Sequence, residues 1–171
     1  MTEIEVKVRV DDLAAVKEKL LAMGAAVFKE RHFEENTLYD FRDRRLAGRR
    51  EALRIRRIGR KTFVTFKGTP QKSRKFKIRT EYETEVRNGR SLVRILQSLG
   101  MIEVFRYEKH RTVLRKGTLL VCLDETRLGG FVEFEGEREK IARTARALGM
   151  PKKDWITKSY PALFREAEPG T

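Results

Sequence analysis

Eight segments of this chain alternate in side-chain character with period two, and in seven of them charges occupy one side of the alternation. The segments are Glu3–Val10, Asn36–Phe41, Ala52–Arg57, Lys61–Lys67, Lys77–Val86, Arg106–Leu114, Leu119–Asp124 and Gly130–Glu135. Period two is strand spacing. The first strand sets Glu3, Glu5 and Lys7 against Ile4, Val6 and Val8, and the third sets Arg54 and Arg56 against Leu53 and Ile55. Lys67 opposes Val64 and Phe66; Arg79, Glu81, Glu83 and Glu85 share a face, as do Lys109 and Arg111. The seventh segment ends in Asp124, and the eighth sets Glu133 and Glu135 against Val132 and Phe134. On a single strand such a face is ordinarily solvated. Seven together point elsewhere: a sheet covered by helices on its apolar side and curled until the charges line a barrel interior.

The helices that would do the covering are legible. A strand with alternate glutamates, then an amphipathic stretch, then a glycine occurs three times: Glu3-Ile4-Glu5 before Asp11 to Met23 and Gly24, Glu83-Thr84-Glu85 before Ser91 to Leu99 and Gly100, and Glu133-Phe134-Glu135 before Arg138 to Leu148 and Gly149. Leu13, Val16, Leu20 and Leu21 recur at helical spacing, with Asp11 or Asp12 available as N-cap. The closing glycines suit a left-handed C-cap. Eight strands against three main helices read as α+β with mostly antiparallel neighbours. Gly59-Arg60 and Gly129-Gly130 are expected turns, Ser73 to Lys75 a basic loop, and Trp155 packing for a C-terminal segment. No linker interrupts the pattern, so a single domain is expected over 1–165, with a frayed tail at 166–171.

Composition narrows the chemistry. The single cysteine, Cys122, excludes an internal disulfide and a Cys-based zinc site. No signal-peptide pattern opens the sequence and no apolar run reaches membrane-spanning length, so a reduced, cytoplasmic, soluble protein is expected. His32 and His110 are isolated, and His110 is out of phase with Lys109 and Arg111. The net charge is +14, and Arg42 to Lys61 alone holds ten basic residues against Asp43 and Glu51. Such an excess attracts polyanions. The inward-facing set is more specific, because arginines grip phosphate oxygens and carboxylates supply hard ligands for magnesium or manganese. Bases for the anion and acids for the metal are the inventory of a metal–triphosphate site.

Glu3-Ile4-Glu5-Val6-Lys7 resembles the Glu-x-Glu-x-Lys signature of the CYTH family, the triphosphate tunnel metalloenzymes. The resemblance continues through Arg54-Ile55-Arg56, Lys67, Arg79-x-Glu81-x-Glu83, Glu108-Lys109-His110-Arg111, Asp124, Glu133-Phe134-Glu135 and Lys158-Ser159-Tyr160. It implies an eight-stranded antiparallel β-barrel, the triphosphate tunnel, with helices packed outside. It implies Glu3, Glu5, Asp124, Glu133 and Glu135 as ligands of Mg2+ or Mn2+. Lys7, Arg54, Arg56, Lys67, Arg79, Lys109 and Arg111 become ligands of the triphosphate, with Lys158 closing over phosphates. Glu81 and Glu83 either order the bases or join the metal site, and Lys7 and Tyr39 are conceivable proton-transfer partners in a hydrolase.

The stretch from Tyr107 to Arg111, Val121-Cys122-Leu123-Asp124 and Gly129-Gly130-Phe131-Val132-Glu133 is more similar to the class IV adenylyl cyclase branch, which turns ATP into cyclic AMP and pyrophosphate. Thiamine triphosphatase and inorganic tripolyphosphatase are the alternatives on the same fold, so the expected substrate is a nucleoside, thiamine or inorganic triphosphate. A non-catalytic polyphosphate or nucleic-acid binder is a further reading of the basic block. Weak nucleic-acid binding through the basic surface could accompany catalysis. No membrane partner is expected, and a homodimer is a base-rate expectation.

Overall fold

The computed structural model describes residues 2–167. Its strands are β1 (Thr2–Val10), β2 (Ala26–Phe41), β3 (Ala52–Ile58), β4 (Lys61–Lys67), β5 (Lys77–Val86), β6 (Met101–Lys116), β7 (Leu119–Thr126) and β8 (Gly129–Glu135). They close into a barrel in the order β1-β5-β4-β3-β2-β6-β7-β8, and the pairs β1–β8, β2–β3, β3–β4, β4–β5, β6–β7 and β7–β8 are all antiparallel. The helices are α1 (Leu13–Ala22), α2 (Arg45–Gly48), α3 (Gly89–Ser98), α4 (Arg138–Ala147) and α5 (Tyr160–Ala167), with a 3-10 turn over Lys152–Asp154. None is long and apolar enough to cross a membrane. The α+β barrel expected from the charged faces is the fold observed.

Local chemistry explains the element ends. Asp12 caps α1, its Oδ1 accepting the Ala15 N–H at 2.9 Å. Gly24 follows α1 at φ +82°, and Gly100 and Gly149 repeat that left-handed geometry after α3 and α4. Strands β2 and β6 are longer than the alternation indicates, because the residues added between Ala26 and Phe33 and between Ile102 and Phe105 are partly or fully exposed and show no apolar face. The short helix α2 and the C-terminal α5 carry too few periodic positions to announce themselves. Glu166 and Ala167, expected in the frayed tail, belong to α5; residues 168–171 lie outside the described residues.

The chain divides into two compact units. In the unit of 3–32, 72–78 and 109–167, Val16 and Leu20 of α1 and Ile141 and Ala145 of α4 pack on Val6, Val8, Val121, Val132 and Phe134. In the unit of 33–71 and 79–108, Leu96 of α3 packs with Tyr39, Ile55 and Met101. Each amphipathic helix therefore covers the apolar side of its strands, and burial of such side chains contributes roughly 1.5–3 kcal/mol apiece.

Candidate functional site

In the unit containing β1, β7 and β8, the charges converge on Asp124, which is 0% exposed. Register places Arg111 of β6 directly opposite Asp124 of β7. Arg111 Nε reaches Asp124 Oδ1 at 2.6 Å, and its Nη2 reaches Oδ2 at 2.7 Å. Lys109 Nζ and the Tyr160 hydroxyl also donate to Oδ2, at 2.9 and 2.5 Å. Burial alone would raise the Asp124 pKa, but the Arg111 and Lys109 charges outweigh it and hold the carboxyl well below the ordinary range. Four donor contacts occupy this carboxylate. Asp124, expected as a metal ligand, is placed as the anchor of two bases.

Around this hub lie the acids. Lys7 Nζ sits between Glu5 Oε1 at 3.1 Å and Glu133 Oε2 at 3.3 Å, while Lys77 Nζ reaches Glu5 Oε1 at 2.5 Å. Arg111 Nη2 lies 3.3 Å from Glu133 Oε2, and its Nη1 lies 3.8 Å from Glu135 Oε1. Burial first, and the neighbouring Glu5 charge after it, push Glu133 up to about 7 against the pull of Lys7 and Arg111. Burial would lower the Lys7 ammonium, yet Glu133 and Glu5 prevail and hold it above its ordinary value. A lysine held as a cation in this way suits phosphate binding. Cys122 is buried, and burial pushes its thiol well up.

Glu3, Glu5 and Glu135 each bring a ligand oxygen within 4.8 Å of the others. The β1–β8 register sets Glu5 opposite Glu135, and the strand alternation returns Glu3 to the same face. Three hard carboxylate donors from two paired strands fit a divalent magnesium or manganese ion, which takes its other ligands from water and phosphate.

In the other unit the bases are also paired. Arg56 Nη2 lies 2.8 and 2.9 Å from the two Glu83 oxygens, and Arg54 Nη2 lies 3.2 Å from Glu83 Oε2. Thr65 Oγ1 donates to that same oxygen at 2.6 Å, and Arg56 Nη1 lies 3.4 Å from buried Glu34. Lys67 Nζ grips Glu81 at 2.5 and 2.7 Å. Partial burial would raise Glu83, but Arg56, Thr65 and Arg54 lower it on balance. Of the two expectations for Glu81 and Glu83, the geometry places both against bases. Arg79 Nη2 donates to the Arg50 carbonyl at 2.9 Å.

Two expected residues lie elsewhere. Tyr39, expected as a proton-transfer partner, is buried in the apolar cluster with Ile55, Leu96 and Met101, because it is out of phase with Glu34 and Asn36. Its burial raises the hydroxyl pKa. Lys158, expected over the phosphates, is more than half exposed and pairs with Glu166 at 2.7 Å. Three residues that sequence reasoning passed over join the clusters. Lys77 is in phase with Arg79, so alternation could have found it. Glu34 lies just before the segment recognised as a strand. Tyr160 sits on a helix, where strand alternation gives no signal; its ring faces Lys7 Nζ at 5.1 Å and Lys109 Nζ at 4.7 Å.

The CYTH domain family model matches residues 1–160. A Methanocaldococcus jannaschii protein named "Putative adenylate cyclase MJ0240" is 32% identical over 95% of this chain and 98% of its own length. A Vibrio parahaemolyticus structure, also described as a "putative adenylate cyclase", superposes with a TM-score of 0.85 at 22% identity, over 96% of this chain and 98% of that one. A Hippeastrum structure described as a "putative adenylyl cyclase" with a dominant triphosphatase activity gives a TM-score of 0.69 at 22% identity, over 96% of each chain. These last two likenesses concern the fold.

Proposed function

This chain belongs to the CYTH domain family, and from that premise we propose that it is a metal-dependent enzyme acting on a triphosphate, with ATP converted to cyclic AMP and pyrophosphate in the manner of a class IV adenylyl cyclase. The observation that carries the reading is the buried set of Lys7, Lys109 and Arg111 beside the three clustered carboxylates Glu3, Glu5 and Glu135. Asp124, Glu5 and Glu133 hold these bases ready, and a triphosphate with a divalent cation offers the matching charges. The nucleotide branch is supported by the relative at 32% identity and its adenylate cyclase name.

In this reading Glu3, Glu5 and Glu135 hold Mg2+ or Mn2+, which when bound draws charge from phosphate oxygens and steadies the oxygen that attacks or leaves. Lys7, Lys109 and Arg111, all within the unit of β1, β7 and β8, are the phosphate ligands. Asp124 holds Lys109 and Arg111 in place before substrate arrives, so the charge that builds on the leaving pyrophosphate meets donors already oriented. The ribose 3′-oxygen attacks the α-phosphorus, the bond to the bridging oxygen breaks, and the hydroxyl proton departs to solvent. The same charges would serve hydrolysis of a triphosphate, the activity ascribed to the Hippeastrum relative.

The test is turnover of ATP with Mn2+ by the wild type and by Glu135→Gln and Arg111→Ala. Both variants should lose at least about a hundredfold in kcat/KM while circular dichroism shows a folded chain. Full activity in both would refute the assignment.

A further inference from the structure

The segment 42–50, between β2 and β3, carries five arginines against the single acid Asp43, and the site described above makes no use of their side chains. Arg42, Arg44, Arg49 and Arg50 are all exposed there. None of their side chains makes an ion pair or hydrogen bond among the described residues, whereas the bases within the strands are engaged by Glu83, Glu81, Glu133 or Asp124. The fifth arginine of the segment, Arg45, is neutralised by Asp43 at 3.1 Å and lies over the Phe41 ring at 4.0 Å.

The backbone beneath these four arginines is fastened at several points. Asp40, buried, accepts the N–H groups of Phe41, Leu46 and Ala47 at 2.8, 3.0 and 3.0 Å. Thr69 donates to the Arg49 carbonyl and Arg79 to the Arg50 carbonyl, each at 2.9 Å. Arg44 and Arg50 both stand in the left-handed region, at φ 57° and 59°. A bulky residue keeps that conformation only where its surroundings impose it. The fastened backbone thus presents an array of free guanidinium groups whose attachment points are fixed.

We propose that this segment is a docking surface for the phosphate backbone of a nucleic-acid duplex. Guanidinium forks match phosphate oxygens, and contacts of this kind position a protein on a duplex without reading its sequence. A single strand is bound mainly by stacking its bases on exposed aromatic rings. Phe41, the aromatic at the foot of this segment, is covered by Arg45, so the segment offers charge without a stacking platform. The surface is independent of the triphosphate chemistry.

The test is fluorescence anisotropy of the full chain with a labelled DNA duplex of about 20 base pairs, starting from about 50 mM salt and rising. A second arm uses the matching single strand. The variant carries Arg42→Ser, Arg44→Gly, Arg49→Ser and Arg50→Gly, with glycine where the backbone is left-handed so that the fold is kept. A control of equal charge carries Arg90→Ser, Arg94→Ser, Arg143→Ser and Arg146→Ser, all exposed helical positions. The wild type should bind the duplex with affinity falling linearly in log salt. The segment variant should lose at least about tenfold in affinity and about 3.6 in slope, 0.9 for each of four phosphate contacts. The control should keep the slope, and ATP turnover should be unchanged in the segment variant. Duplex binding that survives in the segment variant, an equal loss in the control, a wild type that does not bind at the lowest salt, or tighter binding of the single strand would each overturn the proposal.

Discussion

The hydroxyl of Tyr160 donates to Oδ2 of Asp124 at 2.5 Å, with the tyrosine and aspartate side chains both buried. This bond ties the C-terminal helix to the carboxylate that orients Lys109 and Arg111. Tyr160→Phe keeps the ring that faces Lys7 and Lys109 and removes only the donor. A hydrogen bond to a charged group contributes about 1.5–3 kcal/mol, so urea unfolding should show a loss of that size. An unchanged midpoint would mean that the carboxylate is satisfied without it.

Removing Asp124 should cost more. Asp124→Ala takes from buried Lys109 and Arg111 the carboxylate they share and leaves Arg111 the longer contacts to Glu133 and Glu135, a change worth about 3–5 kcal/mol in comparable pairs. Thermal unfolding should show a large drop in Tm, and tripolyphosphate should restore part of it by supplying the missing negative charge.

The same residue sets an acid limit. Asp124 has its folded pKa held below the unfolded value, so as pH falls the unfolded chain takes up this proton first. Its contribution to stability is present above the ordinary carboxylate range and is lost as pH falls through that range toward the lower folded value. Glu83 acts in the same direction, to a smaller degree because solvent reaches it. Stability measured by urea unfolding should therefore decline below about pH 4, and Asp124→Asn should flatten the decline.

Metal binding is expected to depend on the β1–β8 acids. Mn2+ at about 100 times its Kd should stabilise the wild type by about 2.7 kcal/mol. Glu3→Gln and Glu135→Gln should abolish that shift, whereas Glu81→Gln, whose partner is Lys67, should leave it intact. A shift lost only in Glu81→Gln would relocate the site.

The two displaced residues make a contrasting prediction. Lys158→Ala and Tyr39→Phe should each keep kcat/KM within about threefold, because neither side chain lies among the buried charges. A loss comparable to that of Arg111→Ala would return them to the site.

The barrel was legible because alternation reports which residues share a face, and Glu5, Lys7, Lys109, Arg111, Asp124 and Glu133 are buried on the charged side as that reading requires. Alternation does not report which charge meets which. Asp124 and Glu133 look alike in sequence, yet one is saturated by Arg111, Lys109 and Tyr160 while the other shares Lys7 and Arg111, and burial with the neighbouring Glu5 charge raises its pKa. Tyr39 is out of phase with Glu34 and Asn36 in β2, and its ring lies in the apolar cluster with Ile55, Leu96 and Met101. Tyr160 is invisible to any local rule because its partner is 36 residues away in the chain.

The central claim is that the clustered acids and bases act on a triphosphate at its α-phosphorus. Its most direct test is to separate the products after incubating the protein and Mn2+ with ATP, and in parallel with thiamine triphosphate and inorganic tripolyphosphate. Cyclic AMP and pyrophosphate in equal amounts from ATP, abolished by Glu135→Gln, are the predicted result. Orthophosphate from any of the three without cyclic AMP, or no product from any of them, would contradict it.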